Sequence, residues 1–278
     1  MSKLTPRQEE ILKDFKITKC KATTARNLKC SRSTVRAALK GITKKQVSTA
    51  GEGKSRVLVI GDCHAPCMLD GYIDFLKKIQ KKHKCDRVVH IGDAVDWASI
   101  SYHPKAPSLK NSEEEFGKAL IQVQELHRAF PVLDYLIGNH DALSERQAAD
   151  AGLPILVLKD FNQLWGVPNW NVIERFGHVE IDSVLYQHGD RGRGGQNNAA
   201  FLNALDEHKS VVQGHFHAQA GVNYFANHHT RIFGMQVGCG CDHESLAMAY
   251  GKKFNKKPIV GCGVVIEGHT AIFEPMDL

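Results

Sequence analysis

Long apolar runs are missing from this sequence, and so is the apolar stretch that a signal peptide would place behind its basic amino terminus. Without about 18 consecutive apolar residues no helix spans a bilayer, so a helical membrane protein is excluded. The expectation is an intracellular chain of cytoplasm or nucleoid, not secreted and not bound to membrane. Closely paired cysteines are also scarce. The eight cysteines (Cys20, Cys30, Cys63, Cys67, Cys85, Cys239, Cys241 and Cys262) form no CxxC pair, which argues against a zinc ribbon or a disulfide scaffold and for reduced thiols. Cys239 and Cys241, in "VGCGCDH", lie closest together, and that spacing alone is weak ground for a metal site. Acid is scarce at one end. Residues 1–56 hold 15 of the 36 Lys and Arg but 4 of the 30 Asp and Glu, a formal +11 against −5 for the remainder. The basicity belongs to one segment rather than to the whole surface.

What is present fits a soluble globular protein. With 278 residues, 42% of them hydrophobic and 24% charged, the chain is long enough for one large domain and a small one. In the basic segment, "TPRQEEILKDF" offers Thr5 as N-cap, Pro6 at the first helical position and Gln8 to complete a capping box, with Ile11, Leu12 and Phe15 on one face. "TTARNLKCSRSTVRAALKG" continues with a short helix carrying Ala25 and Leu28, a tight turn near Lys29 and Cys30, and a helix capped by Ser31 with Val35 and Leu39 inward and Gly41 as its stop. The pattern resembles a helix-turn-helix DNA-binding module with "CSRSTVRAALKG" as recognition helix. That resemblance implies Ser31, Arg32, Ser33, Arg36 and Lys40 as contacts to duplex DNA. A small basic three-helix bundle that docks on its own catalytic domain or on a protein is the alternative.

"GITKKQVSTAGEGKS" is polar and glycine-containing and reads as linker. The division is a basic module over 1–45, a linker over 46–55 and a second domain over 56–278. In that domain apolar, strand-like runs end in polar clusters: "RVLVI" in "GDCH", "DRVVHI" in "GDAVD", "VLDYLI" in "GNHD", "SVLYQ" in "HGD" and "KSVVQ" in "GHFH". Helical stripes separate them: Met68, Leu69, Tyr72, Ile73, Leu76 and Ile79, then Phe116, Leu120, Val123, Leu126 and Phe130 behind an acidic first turn, and a third helix over "NNAAFLNALDEH". "TRIFGMQV" and a hairpin over "GVVIEGHTAIFEPM" supply further strands.

The five clusters, in this order over about residues 56 to 270, resemble the calcineurin-like metallophosphoesterase superfamily, with its DxH, GDxxD, GNH[DE], HG and GHxH motifs. One such motif alone is weak; five in order are specific. The resemblance implies an α/β fold, a two-sheet β-sandwich flanked by helices in α/β/β/α layers, here preceded by a small all-α three-helix module. It implies two divalent transition-metal ions, Mn2+ first with Fe, Zn or Ni as alternatives, because paired ions sharing a carboxylate can clamp a phosphate and activate water. Carried over motif by motif, Asp62, His64 and His217 join Asp93 around one ion, and Asn139, His188 and His215 join it around the other. His140 then protonates the leaving oxygen or steadies the phosphate, oriented by Asp96, while a shared hydroxide attacks phosphorus. Asp141 is assigned to steadying its turn.

The sequence departs from the Ser/Thr protein phosphatase branch, whose second motif is followed by Arg-Gly. "GDAVDWAS" has no such arginine. Arg191 and Arg193 in "HGDRGRGGQNN" are candidate replacements for phosphate binding, against a solvated loop. Trp97, Tyr102 and His103 are candidates for stacking on a base, against capping a core. Three readings follow: a DNA phosphodiesterase, meaning a nuclease or nicking enzyme; a phosphomonoesterase or nucleotide hydrolase with a regulatory or protein-binding module; and a DNA-binding regulator with a non-catalytic phosphoesterase domain. The first is preferred. Protein partners and oligomeric state are left open, a homo-oligomer included.

Overall fold

The computed structural model describes residues 6, 7, 10, 11, 13, 15, 21–36, 55–102, 111–193, 198–242, 244 and 257–277. The chain divides into two compact units, Met1–Gly53 and Lys54–Leu278. The expected linker, up to residue 54, and Thr5, Gln8, Leu12, Leu39, Lys40 and His103 lie outside the described residues.

The amino-terminal unit is helical where it is described. Pro6, Arg7, Glu10, Ile11, Lys13 and Phe15 have helical backbone, followed by α1 (Lys21–Asn27) and a helical segment over 32–36. Ile11, Ala25 and Val35, one from each segment, bury together, with Phe15, Leu28 and Cys30 packed on them. The turn after α1 has Lys29 at φ 47°, with the Cys30 N–H bonded to the Ala25 carbonyl and the Lys29 N–H to that of Arg26. These two bonds are the Schellman pair that ends a helix abruptly. Ser31 Oγ then accepts the Thr34 N–H at 3.0 Å and so caps the next segment.

The larger unit holds two sheets. The six-stranded sheet runs β11-β10-β1-β2-β3-β4, with β1 (Arg56–Ile60), β2 (Arg87–His90), β3 (Asp134–Leu136), β4 (Asn171–Ile173), β10 (Gly261–Ile266) and β11 (Thr270–Pro275). The five-stranded sheet runs β5-β6-β7-β9-β8, with β5 (Val179–Ile181), β6 (Val184–Tyr186), β7 (Ser210–Gln213), β8 (Ala220–Ala226) and β9 (Arg231–Val237). Strands β1 to β4 are parallel, as are β6, β7 and β9. Their carboxyl ends therefore emerge together at one edge of each sheet.

Alternation explains why both faces of β1 are apolar. Val57 and Val59 enter the core between the sheets with Val89, Ile91, Val212, Phe233 and Met235, while Leu58 and Ile60 face α2 (Tyr72–His83) and α3 (Ser112–Ala129). Behind the second sheet, Leu185 and Val211 pack on Ala204 of α6 (Ala199–Glu207), the last helix among the described residues; α4 (Leu143–Asp150) and α5 (Phe161–Trp165) precede it. The result is helix, sheet, sheet, helix. The expected stripe from Met68 is corrected at its start: α2 begins at Tyr72, after Gly71 at φ 81°, and Met68 and Leu69 belong to the preceding loop. Strands β4, β5 and β8 and helices α4 and α5 were not expected; β4 and β5 are three residues each, too short to show a period.

Candidate metal centre

Each of the five motifs follows a parallel strand, and the first two loops remain zipped beyond β1 and β2. The N–H groups of Cys63 and His64 both bond the Asp93 carbonyl, and that of Ala65 bonds Ala94. His64, Asp93 and His215 all have left-handed backbone, with φ of 49°, 50° and 68°. Such conformations persist where surrounding structure over-determines them, commonly at functional sites. Gly138 is required beside them, because a Cβ there would overlap the Asp93 carboxylate.

The side chains converge in two overlapping groups. In the first, His217 Nε2 lies 2.9 Å from Asp62 Oδ2 and 3.1 Å from His64 Nε2. In the second, His188 Nε2 lies 3.3 Å from Asp93 Oδ2 and 3.0 Å from Asn139 Oδ1, with His215 close to both Asp93 and His188. Asp93 Oδ2 is also 3.9 Å from His64 Nε2, so its carboxylate stands between the groups. Asp62, His64, Asp93 and His188 are buried, whereas Asn139, His215 and His217 are half-buried. All seven expected ligands are thus brought together.

Hydrogen bonds on the far side of the rings decide which nitrogen faces the centre. His188 Nδ1 donates to the Ile91 carbonyl at 2.8 Å, and His64 Nδ1 lies 2.7 Å from Asp96 Oδ1. Both rings therefore turn Nε2 inward, as a metal ligand must. His140 Nδ1 donates to the Asp96 carbonyl oxygen at 2.7 Å and lies 3.2 Å from Asp96 Oδ1, while its main-chain N–H donates to Asp93 Oδ1 at 2.8 Å. Asp141 accepts the N–H groups of Asp93 and Gly138, each at 2.8 Å, and so ties the second motif to the third.

Electrostatics fits a cation here. Burial alone would push the carboxyls of Asp62 and Asp93 up, yet both are held below the usual range, Asp62 by the His217 bond and Asp93 by the charge of His188. Burial also opposes protonation of His188 and His217, but Asp93 raises His188 to about 10, and the Asp62 bond raises His217 to about 9. His64 and His215 go the other way, lowered first by burial and then by neighbouring histidines. Two protonated rings, two neutral rings and two anionic carboxylates enclose positive charge, and divalent ions would replace those protons with the same donor set.

Other candidates found different partners. Arg193 is paired with Asp206, Nε to Oδ2 at 2.8 Å and Nη2 to Oδ1 at 3.2 Å, and Arg191 donates to the Phe176 carbonyl. Neither guanidinium is engaged with the centre. Trp97 is buried, stacked on Phe116 at 6.0 Å and packed against Trp165, so it caps the core instead of offering a face to a base. Tyr102 is exposed, with the Arg146 guanidinium 4.8 Å from its ring centre. Ser31 and Ser33 are exposed and Arg32 and Arg36 half-buried within their own unit. Sequence reasoning missed His90, a buried ring on β2 whose Nδ1 accepts the Gly92 N–H at 3.2 Å and whose Nε2 faces Cys63. Burial lowers it to about 3 and keeps it neutral behind the two carboxylates.

The family model for calcineurin-like phosphoesterases matches residues 55–273. The chain is a calcineurin-like phosphoesterase. The family binds two divalent metals, and this phosphoesterase is a metal-dependent hydrolase of phosphate esters. No curated protein matches it. Among solved structures, the phosphoesterase is similar to the nuclease MPE of Pseudomonas putida, at 14% identity and TM-score 0.37 over 76% of this chain and 84% of that one. It is similar also to vacuolar protein sorting 29 of Cryptosporidium parvum, at 13% identity and TM-score 0.40 over 76% and 86%. A third is Yfce, a phosphoesterase from E. coli, at 12% identity and TM-score 0.35 over 75% and 87%. Likeness at this level does not extend to activity. No helix among the described residues is long and apolar enough to cross a membrane.

Proposed function

We propose that the protein is a dinuclear-metal phosphodiesterase acting on DNA, as a nuclease or nicking enzyme, with residues 1–45 holding it to duplex. The observation that carries this reading is the +11 charge of residues 1–56 beside −5 for the rest, since a local charge of this size serves phosphate contact better than packing. The helical segment over 32–36 supports it: Ser31 caps it, Val35 is buried in its small core, Ser31 and Ser33 are exposed and Arg32 and Arg36 half-buried, and these four, with Lys40 four positions further in the sequence, are the residues proposed to meet backbone and base edges.

In the hydrolytic unit, Asp62, His64 and His217 with Asp93 would hold one ion, and Asn139, His188 and His215 with Asp93 the other; Mn2+ suits this mixed oxygen and nitrogen set, as do Fe, Zn and Ni. Bound there, the ions supply Lewis acidity to the phosphate and a nucleophile at neutral pH. His140 is the proton donor to the leaving oxygen. Its Nδ1 is anchored on Asp96, which leaves Nε2 to donate, and although burial opposes its charge, Asp93 and Asp96 raise it to about 10. With Asp93 holding a cation, His140 would lose part of that stabilisation and come toward the pH at which it both holds and releases a proton.

The test compares the full chain with a variant lacking residues 1–53, on circular plasmid and on a small aryl phosphodiester, both with Mn2+. Loss of plasmid binding and nicking with retained turnover of the small ester is the expected result. Binding by the full chain should fall roughly a thousandfold between 50 and 200 mM salt if about six phosphates are contacted. Equal nicking by both proteins at every salt concentration would reassign the module to protein contact and favour a phosphomonoesterase.

A further inference from the structure

Beside the centre lies a thiol pair that the chemistry above does not use. Cys239 and Cys241 are both fully buried, and the Cys241 thiol stands 3.4 Å from Cys239 Sγ. Among the described residues no cysteine is in a disulfide. Their backbone is pinned on all sides: Cys239 bridges Asp62 and Val260, Cys241 bridges Met68, the Gly240 N–H bonds the Asp62 carbonyl, and the Asp242 N–H bonds that of Cys67. Residues two apart in extended backbone face the same side. Gly240, between them, faces the other way, where a Cβ would run into the Tyr72 ring. Both sulfurs and one ring nitrogen of His217 lie within 4.8 Å of one another.

We infer that Cys239, Cys241 and His217 form a second kind of metal site, one that takes a thiophilic divalent cation such as Zn2+ or Cd2+. Soft thiolates select such ions over Mn2+, which prefers oxygen. Two sulfurs at about 2.3 Å from a tetrahedral zinc are about 3.8 Å apart, so the observed pair needs to open by only a few tenths of an ångström. Ligation releases both thiol protons, and a water completes the fourth position. His217 belongs to both sites. A thiophilic ion that captures it withdraws a ligand from the group of Asp62 and His64, so the thiol site is inhibitory toward the hydrolytic centre. The inference rests on the placement of His217 and not on DNA as substrate.

The reduced full-length protein is titrated with Co2+ and read by sulfur-to-metal charge-transfer absorption in the near ultraviolet. One equivalent should produce the band in the native chain and in Asp93→Asn, whose nitrogen and oxygen centre is disabled. The double variant Cys239→Ser with Cys241→Ser should lose it, with Cys241→Ala as the second variant should the first fail to fold. Absence of the band from the reduced native chain overturns the inference, as does its persistence in the double variant. Cd2+ added to the Mn2+-loaded enzyme should then inhibit the native chain and spare Cys241→Ala; equal inhibition of both overturns the competition through His217. Asp93→Asn separates this result from the proposed function, since its band survives whatever the substrate is.

Discussion

Asp96 holds His64 with its carboxylate, Oδ1 to Nδ1 at 2.7 Å, more closely than it holds His140 with the same oxygen, at 3.2 Å. His140 leans instead on the Asp96 main-chain carbonyl. One carboxylate therefore serves a metal-ligand ring and the neighbouring acid together, which the expected partnership with His140 alone did not include. Burial would raise the Asp96 carboxyl, yet bonds from His140 and His64 hold it far below the usual range, so it remains ionised throughout the working pH range.

Asp96→Ala should weaken metal binding roughly 10- to 100-fold, the usual effect of removing the partner of a ligating histidine, and lower turnover as well. Metal affinity measured by competition with a chelating dye checks it. Unchanged affinity with lowered turnover would show that Asp96 acts on His140 only.

His140→Ala should leave the metal content intact and cut turnover by about 10² to 10⁴. With an aryl ester whose leaving group needs no proton the loss should shrink to a small factor. An equally large loss there would point to phosphate binding in place of proton donation.

Asp93→Asn should lose both ions, because its carboxylate stands between the two groups and an amide does not bridge cations as a carboxylate does. Metal analysis of the purified variant decides; two equivalents retained would remove Asp93 from the centre.

Metal affinity should rise with pH. In the metal-free chain His188 and His217 hold protons up to about 10 and 9, both above the ordinary value of 6.5, and each proton must leave before its nitrogen binds a cation. Between pH 6 and 8 the affinity for each ion should climb about tenfold per unit, because one proton is displaced per ion. The sign for stability is the opposite. The charged pairs with Asp93 and Asp62 contribute fully below about 6.5 and are lost as pH rises through 9 and 10, so the metal-free protein weakens in alkali. Isothermal titration at pH 6, 7 and 8 tests the first part; a pH-independent constant would contradict it.

Much of this protein was legible before any coordinate. Short apolar runs, each followed by Gly with His or Asp close by, identify strand ends that carry chemistry, and β1, β2, β3, β6 and β7 stand where those runs predict. The seven expected donors were assigned through the resemblance of those motifs to a known family, and they come together because each sits within a few residues of its strand end. Local order did not reach further. Asp96 to His64, Asp141 to Asp93 and the thiols beside His217 are contacts between loops far apart in the chain, 32 residues in the first case and 48 in the second. Their approach depends on parallel strands delivering several loops to one edge, and no spacing within a single loop encodes that. Arg193 and Asp206 of α6 make a further such contact, 13 residues apart and closed by the fold. Sequence set which groups are available near the strand ends, and the packing of two sheets decided which of them meet.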